Sequence, residues 1–539
     1  MKKILALTLS ILLLCTCLFS CDESFFDDLL DENIDGSLEN DDTNANESKK
    51  PSTQKESDKE SETKFTSTTG HPPLGFNNET ITILHRDSVS FQREWHKDVF
   101  EDELDEVIAL RNEAVSKILS IDVEYQSLAG SNYTDCLDNF TNAIKEDVDT
   151  GAHNYDIVAN HAYASANIAI RDYLADLTDK NTFPYFQFSL PCWNQSIVKN
   201  TTLNGMLFHV TGDLNLSTFD NATVVFLNKD MYDAKKTSLD PEDLQEVAIS
   251  GAWDFEDLYR WTTVFENTNG KNGAQHDDFY AISAAFDSTS VDALSYAWEL
   301  NYLTTNPDGS HKYNIVGNQK IENAIVKAQN LLNGSISAGV NNANDTGACS
   351  LGGYSEPITH FASNKSIFAI HKLYASDEDN NIIRSMEAKF GILPMPKYTE
   401  AQENYKTTVH DSYTLISVID HSESSVPTKG NEISAYLQYS YEESYVNIRG
   451  FYVNKIIKPK YFGTFDDTQE RELVNIILDS IELDVLSVYA PQLNNVLARC
   501  WRDVVMGYGS PTTAKDAYEF EKTNFDTSLE SLDYWFGIE

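Results

Sequence analysis

Apolar residues recur along the chain at two spacings, and these predict strands that alternate with helices. Short apolar runs at 81–84, 123–125 and 155–159 predict strands, and each is followed by a stretch in which apolar residues return every three or four positions. The helices that these stretches predict are 104–119, 137–148 and 168–177. A β-α-β-α-β-α order predicts a parallel sheet with right-handed crossovers.

The first predicted helix carries a charge on its apolar face. Its apolar residues are Leu104, Val107, Ile108, Val115, Ile118 and Leu119. Arg111 falls on the same stripe. We expect the stem of Arg111 to lie along the edge of this face while its guanidinium reaches water, as long cationic side chains commonly do.

Beyond an aromatic and irregular stretch at 182–222, the pattern predicts a second set of elements. A strand over 222–228 ends in Asn-Lys-Asp and passes into a helix, which suggests a crossing from one lobe to another. Asp254 is the expected N-cap of a further helix, because Trp253 and Leu258 have the spacing of a hydrophobic staple.

The later part of the chain continues the alternation. A helix predicted over 321–332 stops at Gly334. Another, over 493–505, carries Trp501 on its apolar stripe, where we expect a core residue rather than a ligand platform. The remaining strands that the pattern predicts are 361–371, 390–397 and 411–418.

Polar side chains lie at the ends of two strands of the predicted parallel sheet. His85 and Arg86 follow the first strand, and Asn160 and His161 follow the third. Parallel open sheets bind ligands at the carboxyl ends of their strands, so these residues are candidate ligand contacts. The alternative is that they are ordinary loop residues, since strand ends generally run into polar loops.

The first residues of the chain predict an export signal. Two lysines precede an apolar run at 4–19, which is short for a membrane span of about 20 residues. A basic start and an apolar middle are typical of a secretory signal peptide, here residues 1–20. The exit, 18–21, resembles the lipobox of bacterial lipoproteins, in which the cysteine, here Cys21, is lipidated and becomes the mature N-terminus. The alternative is an ordinary cleaved signal with an incidental cysteine.

A polar tether is expected over residues 21–75. Between Asp22 and Glu62 there are 15 acidic residues and four lysines. Such a segment buries too little apolar surface to offset its chain entropy, so we expect it to be disordered. As a flexible coil of about 50 residues it spans roughly 40 Å root-mean-square. With a lipid anchor of more than one acyl chain, it would hold the folded part at the outer face of the cell membrane.

Length and charge restrict the remaining possibilities. The chain from about residue 75 to residue 539 is too long for one ordinary core and suggests two domains or lobes. A formal net charge of −44 argues against a nucleic-acid partner, because phosphate binding needs clustered Lys and Arg. It also argues against the folded part lying on anionic lipid.

The cysteines give no metal-binding or redox motif. Beyond Cys21, the mature chain has only Cys136, Cys192, Cys349 and Cys500, and none forms a CxxC pair. We expect buried thiols, with one bridged pair left open. We expect no metal and no cofactor.

The order of several motifs resembles the extracellular solute-binding proteins of bacterial ABC importers, family 1-like and of the lipoprotein type. Residues 225–230 are similar to the family's Tyr-Asn-Lys-Asp entry to the second lobe, and 253–258 to its Thr-Trp-Asp-Glu-Leu helix start. The other similar stretches are 108–112 to an Arg-Asn helix, 364–368 to Gly-Lys-Ala-Ala-Met, 391–396 to Gly-x-x-Pro-x-Pro, and 517–522 to Tyr-Glu-Lys endings.

This resemblance implies an α/β, two-lobed periplasmic-binding-protein-like fold of type II, in which a ligand is held in the cleft between the lobes. The first lobe would take residues 76–225 and 415–460, and the second 226–412 and 463–539. Closure of the lobes excludes water and strengthens hydrogen bonds to the ligand.

The resemblance also implies where a sugar would bind. Family sites stack aromatic rings on the sugar and use Asp, Asn, Arg or His for its hydroxyls. The matching positions are His85, Arg86, Asn160, His161, Trp193, His371, Lys372 and Tyr413. The family's Gly-Pro-Trp is replaced here by His371-Lys372-Leu373-Tyr374.

Enzyme motifs are missing from the sequence. The chain has no Gly-x-Ser-x-Gly, no HExxH and no phosphate-binding Gly-x-x-x-x-Gly-Lys. We therefore predict a monomeric, non-catalytic, lipid-anchored substrate-binding subunit of an ABC importer, with a sugar or oligosaccharide as ligand and permease subunits as partners. The alternatives are an exported glycan-active enzyme and a surface protein-binding lipoprotein. Peptides and modified sugars stay open as ligands.

Overall fold

The computed structural model describes most of the chain from Gly70 onward. The described residues are 70–88, 91, 93–95, 100, 102–236, 243–261, 280–285, 287–332, 349–352, 356–377, 383–422, 428–457, 467–507 and 511–538, with the side chains of 349–356 and 467 left out. The predicted signal peptide, Cys21, most of the tether and Gly334 lie outside these residues. Within them, no helix has the length and apolar character that crossing a membrane requires.

The strands form two main sheets and one hairpin. In chain order they are β1 Glu79–Arg86, β2 Ile121–Leu128, β3 Ile157–His161, β4 Thr223–Asn228, β5 Tyr280–Ala285, β6 Leu303–Thr305, β7 His311–Tyr313, β8 Cys349–Gly352, β9 Ser366–Lys372, β10 Phe390–Leu393 and β11 Thr414–Val418.

The helices surround the sheets. In chain order they are α1 Glu103–Leu119, α2 Tyr133–Thr150, α3 Ala162–Ala169, α4 Gln195–Thr201, α5 Leu216–Asp220, α6 Lys229–Lys235, α7 Leu244–Ile249, α8 Phe255–Arg260, α9 Ala293–Ala297, α10 Gln319–Leu331, α11 Glu356–Ala362, α12 Gly430–Glu443, α13 Arg449–Ile457, α14 Asp467–Asp479, α15 Val485–Val488, α16 Asp503–Met506 and α17 Ala514–Trp535.

The first sheet has the strand order β11-β3-β1-β2. Strand β1 is parallel to β2 and to β3, with Ile83 opposite Tyr125 and Ile157. The parallel β-α-β-α-β arrangement predicted from the sequence is therefore confirmed. The fourth strand, β11, comes from far along the chain and is antiparallel to β3.

The second sheet has the strand order β10-β4-β9-β5-β8. Strand β4 is antiparallel to both its neighbours, whereas β5 is parallel to β8 and β9. All described side chains of β4, β5 and β9 are buried, as expected for strands covered by helices on both faces.

Local chemistry fixes the helix starts. Asp102 caps α1 by accepting a hydrogen bond from the backbone N–H of Asp105. Asp254 caps α8, as predicted, and forms a capping box with Asp257. These caps satisfy backbone donors that a helix leaves without intrahelical partners.

Two neighbouring segments connect the sheets. One leads from α5 into β4, and the other returns from the second sheet to β11. The backbone N–H of Thr223 donates to the carbonyl of Thr408 at 2.9 Å, and the N–H of His410 donates to the carbonyl of Asn221, also at 2.9 Å. The crossing segments are thus paired to each other like strands. The predicted lobe boundaries remain a prediction.

Some predicted elements are interrupted in the structure, namely 168–177, 361–371 and 493–505. Asp172 has a φ of 60°, and helix α3 ends before it. Asn364 has a φ of 58° and separates α11 from β9, so the single predicted strand is a helix followed by a strand. Asn494 and Asn495 have φ values of 52° and 51°, so the helix predicted over 493–505 does not begin at residue 493. Asn and Asp adopt this left-handed conformation more readily than most residues.

The expected position of Arg111 is wrong. Its side chain is 1% exposed and does not reach water. The guanidinium instead donates to the carbonyl of Glu94 at 2.8 Å and to Ser444 Oγ at 2.9 Å. It therefore connects α1 to Glu94 and to Ser444, the residue that directly follows α12.

Most predicted core and cysteine positions are confirmed. Trp501 is fully buried, and its Nε1 donates to the carbonyl of Val291 at 2.7 Å. Cys136, Cys192 and Cys500 are buried free thiols. The largest apolar cluster contains residues of both sheets, and a second cluster lies against the first sheet.

Candidate ligand cleft between the two sheets

Ser412 is the meeting point of polar groups from both sheets and from the crossing segments. Its carbonyl accepts a hydrogen bond from Arg86 Nη1, at the end of β1, at 2.9 Å. Its Oγ accepts from Lys372 Nζ, at the end of β9, at 3.4 Å. The same Oγ donates to Asn221 Oδ1 in the other crossing segment at 2.8 Å. Strand ends of both sheets therefore meet where the chain crosses between them.

His410 and Asp411 precede Ser412 and extend this cluster. His410 Nδ1 lies 3.0 Å from Ser412 Oγ and 3.3 Å from Asp411 Oδ1. The Asp411 side chain is 41% exposed although it lies in the segment between the two sheets. Because water reaches Asp411 between the two sheets, the space beside it is the candidate ligand cleft.

Two tyrosines flank the cluster on the side of the first sheet. Tyr133, the first residue of α2, packs edge-on against Tyr163 of α3 with 4.8 Å between ring centroids. Tyr133 also packs edge-on against His161 at 6.3 Å. His161 caps α3 by accepting from the backbone N–H of Tyr163 at 3.2 Å.

The segment after α15 borders the other side of the polar cluster. Tyr163 OH donates to Asn495 Oδ1 at 2.6 Å. Arg502 forms a bidentate pair with Asp292, with 3.0 Å between Nε and Oδ1. These contacts border the cleft with an amide, a phenol and an ion pair.

Burial controls the protonation of the cluster. It lowers the pKa of Lys372 to about 8, although Asp411 and Asp287 partly oppose the shift. It lowers the pKa of His161 and His410 well below the usual value, and the nearby cation Lys372 adds to both shifts. Both imidazoles are therefore neutral at pH 7, when each can donate one hydrogen bond and accept another.

The carboxyl and phenol groups shift in the opposite direction. Burial raises the pKa of Asp411, while Lys372 and Arg502 counteract that rise. Burial also raises the pKa of Tyr133 to about 12. Water still reaches Asp411, because 41% of its side chain is exposed.

Four of the candidate residues from the sequence come together at this place. Arg86, His161, Lys372 and Tyr413 all surround the Ser412 segment. Tyr413 is 2% exposed, and its carbonyl accepts from the N–H of Ala162, the first residue of α3, at 2.9 Å. His371 precedes Lys372 in β9 and is close enough to His410 to contribute to lowering its pKa.

The other three candidates lie elsewhere. His85 points to the opposite face of β1 from Arg86 and packs edge-on against Tyr125. Asn160 donates to the carbonyl of Cys136 at 3.4 Å and is 1% exposed. Trp193 belongs to the apolar core of the first sheet, stacked at 3.9 Å on Tyr441.

Sequence reasoning missed Tyr133, Tyr163, His410, Asp411 and Ser412. The tyrosines begin helices, and a helix start shows only a capping signal in sequence. His410 directly precedes the predicted 411–418 strand, and Asp411 and Ser412 are its first two residues, so all three could have been found by examining both ends of that strand. Its antiparallel direction places the start of β11, rather than its end, beside the carboxyl end of β3.

No family model matches the chain, and no curated protein matches it in sequence. Its structure is similar to that of a family 1 extracellular solute-binding protein from Bifidobacterium longum subsp. infantis, with 11% identity, a TM-score of 0.50, and coverage of 84% of this chain and 99% of that one.

Two further solved structures are similar at lower scores. One is an ABC transporter solute-binding protein from Thermotoga lettingae bound with α-D-tagatose, with 15% identity, a TM-score of 0.49, and coverage of 84% of this chain and 100% of that one. The other is an ABC substrate-binding protein from Listeria monocytogenes in complex with cycloalternan, with 13% identity, a TM-score of 0.48, and coverage of 86% and 100%.

These identities are too low to carry a ligand from one protein to another, so the likeness establishes the fold. The arrangement of two helix-covered sheets joined by paired crossing segments agrees with it. The chain therefore has the two-lobed α/β fold of the family 1 extracellular solute-binding proteins.

Proposed function

We propose that this protein is a non-catalytic substrate-binding subunit of an ABC importer and captures a carbohydrate by closing its two lobes. The observation that carries the proposal is the polar cluster around Ser412. It combines Arg86 of the first sheet, Lys372 of the second, and Asn221 of the crossing segment. A ligand bound there would contact both lobes and would stabilise the form in which they are close together.

The chemistry of the cleft suits a polyhydroxyl ligand. Neutral imidazoles donate and accept, Asp411 accepts, and the Tyr133–Tyr163 pair offers ring surface. Sugars present alternating hydroxyl donors and acceptors with apolar ring faces, which match these groups. The structures from Thermotoga lettingae and Listeria monocytogenes hold tagatose and cycloalternan, respectively. A carbohydrate is therefore the first ligand class to test.

The experiment is a thermal-shift screen of the purified protein against mono-, di- and oligosaccharides, with peptides as a second class. A ligand at 100 times its dissociation constant stabilises the form that binds it by about 2.7 kcal/mol. We expect one class of carbohydrate to raise the melting temperature and to be recovered chemically unchanged. Stabilisation by peptides alone would contradict the carbohydrate proposal, and consumption of the compound would indicate an enzyme.

We further propose that Cys21 is lipidated and holds the protein at the outer face of the cell membrane. The lipobox-like exit and the acidic tether of the sequence support this proposal. In a bacterial host, the wild-type protein is expected to incorporate an alkyne-labelled fatty acid and to sediment with membranes. Cys21→Ser is expected to lose the label and appear in the soluble fraction. Labelling of the Cys21→Ser protein would contradict the assignment.

A further inference from the structure

The charged groups of the cleft floor differ in their access to a ligand. The Asp411 side chain is 41% exposed, whereas Lys372 is 7% exposed and Arg86 is 1% exposed. A ligand that enters the cleft therefore meets the carboxylate before it can reach either of these cations.

The buried cations already donate hydrogen bonds to acceptor atoms of the protein. Arg86 donates to the carbonyl of Ser412 at 2.9 Å and to Thr414 Oγ1 at 2.8 Å. Lys372 donates to Ser412 Oγ. These bonds fix the crossing segment, so an anionic ligand would have to compete with the protein for their donors.

Each cation near the exposed carboxylate also lies beside other carboxyl groups of the protein. Arg502 is held by Asp292 in a bidentate pair. The remaining cation close to Asp411, Lys372, also faces the carboxyl groups of Asp287 and Asp220. The two nearby histidines, being neutral at pH 7, add no positive charge at this place.

A second polar group lies near Asp411. The hydroxyl of Tyr413, in a side chain 2% exposed, has no hydrogen-bond partner among the described residues. Burial raises the pKa of the Tyr413 phenol, and the negative charges of Asp411 and Asp484 raise it further. Burying a hydroxyl without a hydrogen-bond partner destabilises the protein, and a ligand in the cleft can supply that partner.

Building on the proposed function, we propose that the ligand carries a protonated amine that pairs with Asp411, which makes an amino sugar the preferred class and a uronic acid an excluded one. The ammonium donates to the exposed carboxylate, and a charge-assisted bond of this kind is stronger than one between neutral groups. The carboxylate of a uronic acid would instead lie against Asp411.

The test measures dissociation constants by calorimetry for matched sets of sugars on gluco, galacto and manno rings. Each set contains the free amine, its N-acetyl derivative and the uronic acid. For a set that binds, we expect the amine to bind at least about tenfold more tightly than the N-acetyl form, which corresponds to ~1.4 kcal/mol. The uronic acid is expected to bind most weakly.

Two variants assign the preference to one carboxylate. Asp411→Asn keeps the shape of the side chain and is expected to reduce the preference for the amine to less than about threefold. Asp149→Asn removes an equal charge near the opposite end of α2 from Tyr133, and is expected to keep the full preference. Circular dichroism and melting curves establish that both variants are folded before binding is compared.

The outcomes separate this inference from the proposed function. An N-acetyl sugar or uronic acid that binds as tightly as its amine overturns the inference, as does an amine preference that survives in Asp411→Asn. If the protein binds carbohydrates of the wider screen but none of these amines, the inference fails and the proposed function stands. If no carbohydrate of either panel binds, both fail.

Discussion

At the scale of single residues, Arg111 is a fully buried cation whose bonds join three parts of the first lobe. It lies on α1 and donates to the carbonyl of Glu94 and to Ser444 Oγ. Arg111→Ala would leave both acceptors buried without this donor and would open a cavity. We expect the free energy of unfolding to fall by about 3 kcal/mol.

Chemical denaturation measures this loss for Arg111→Ala. The matched control is Arg171→Ala, because Arg171 is exposed to solvent. The control is expected to change stability by less than about 0.5 kcal/mol. A loss in Arg111→Ala as small as that of the control would show that the buried bonds contribute nothing net.

Asp213 is a buried carboxyl that makes stability depend on pH. Burial raises its pKa to about 7, although Arg449, 3.5 Å away, opposes the shift. The unfolded value is about 4, so the folded protein binds more protons between these pH values, and its stability falls as the pH rises from about 4 to 7. Asp213→Asn removes this titration.

Urea denaturation at pH 4.5 and pH 8 checks this effect. Between pH 4.5 and pH 8, Asp213→Asn is expected to gain about 3 kcal/mol of stability relative to wild type, because the wild-type protein loses that amount as Asp213 deprotonates. Asp479→Asn removes the exposed partner of the same arginine, and its effect should vary by less than about 1 kcal/mol between the two conditions. An equal effect of Asp213→Asn at both pH values would contradict the assignment.

At the scale of elements, the N-cap of α8 is a local interaction that contributes to the stability of the whole fold. Asp254 accepts from the N–H groups of Glu256 and Asp257, and its own N–H donates to the Asp257 side chain. Asp254→Ala is expected to reduce stability by about 1 kcal/mol in thermal or urea unfolding. Asp254→Ser keeps a capping oxygen and should retain most of the stability. Equal losses in both variants would show that the cap is not the cause.

At the scale of the whole molecule, paired crossing segments predict a motion of one sheet relative to the other. Hydrogen bonds between Thr223 and Thr408 and between His410 and Asn221 pair the two crossing segments, and under the proposed function the lobes would rotate about this pairing. A ligand that contacts both lobes should then reduce the radius of gyration measured by small-angle scattering. We expect the ligand-bound curve to fit the described structure better than the ligand-free curve. A stabilising ligand that leaves the radius unchanged would contradict lobe closure.

Much of the fold could be predicted from the sequence, because the spacing of apolar residues that forms a strand or a helix involves only residues close together in the chain. Three parallel strands with their helices, the Asp254 cap and the burial of Trp501 depend on patterns within about 20 residues, and all are present in the structure. The predicted bounds of a helix or strand were wrong where one Asn or Asp in a left-handed conformation interrupted an apolar pattern, as at Asn364.

The candidate site could be predicted only in part. Arg86 and His161 were found because they end strands, and strand ends are visible in sequence, whereas Lys372 was proposed only through the resemblance to the family. Trp193 was chosen for its chemistry, yet it packs on Tyr441 in the core. Aromatic residues bury well, so a tryptophan by itself does not distinguish a ligand platform from a core position.

The sequence by itself determined the strands and helices, the strong negative charge and the polar residues that end the strands, since each depends on neighbouring residues or on composition. Only the tertiary structure decided which of these residues meet. Ser412 lies 326 positions from Arg86 along the chain, and a hydrogen bond joins them. Contacts across such separations depend on how two sheets pack and how two crossing segments pair, and these arrangements follow from the burial of the whole chain rather than from the spacing of any one stretch.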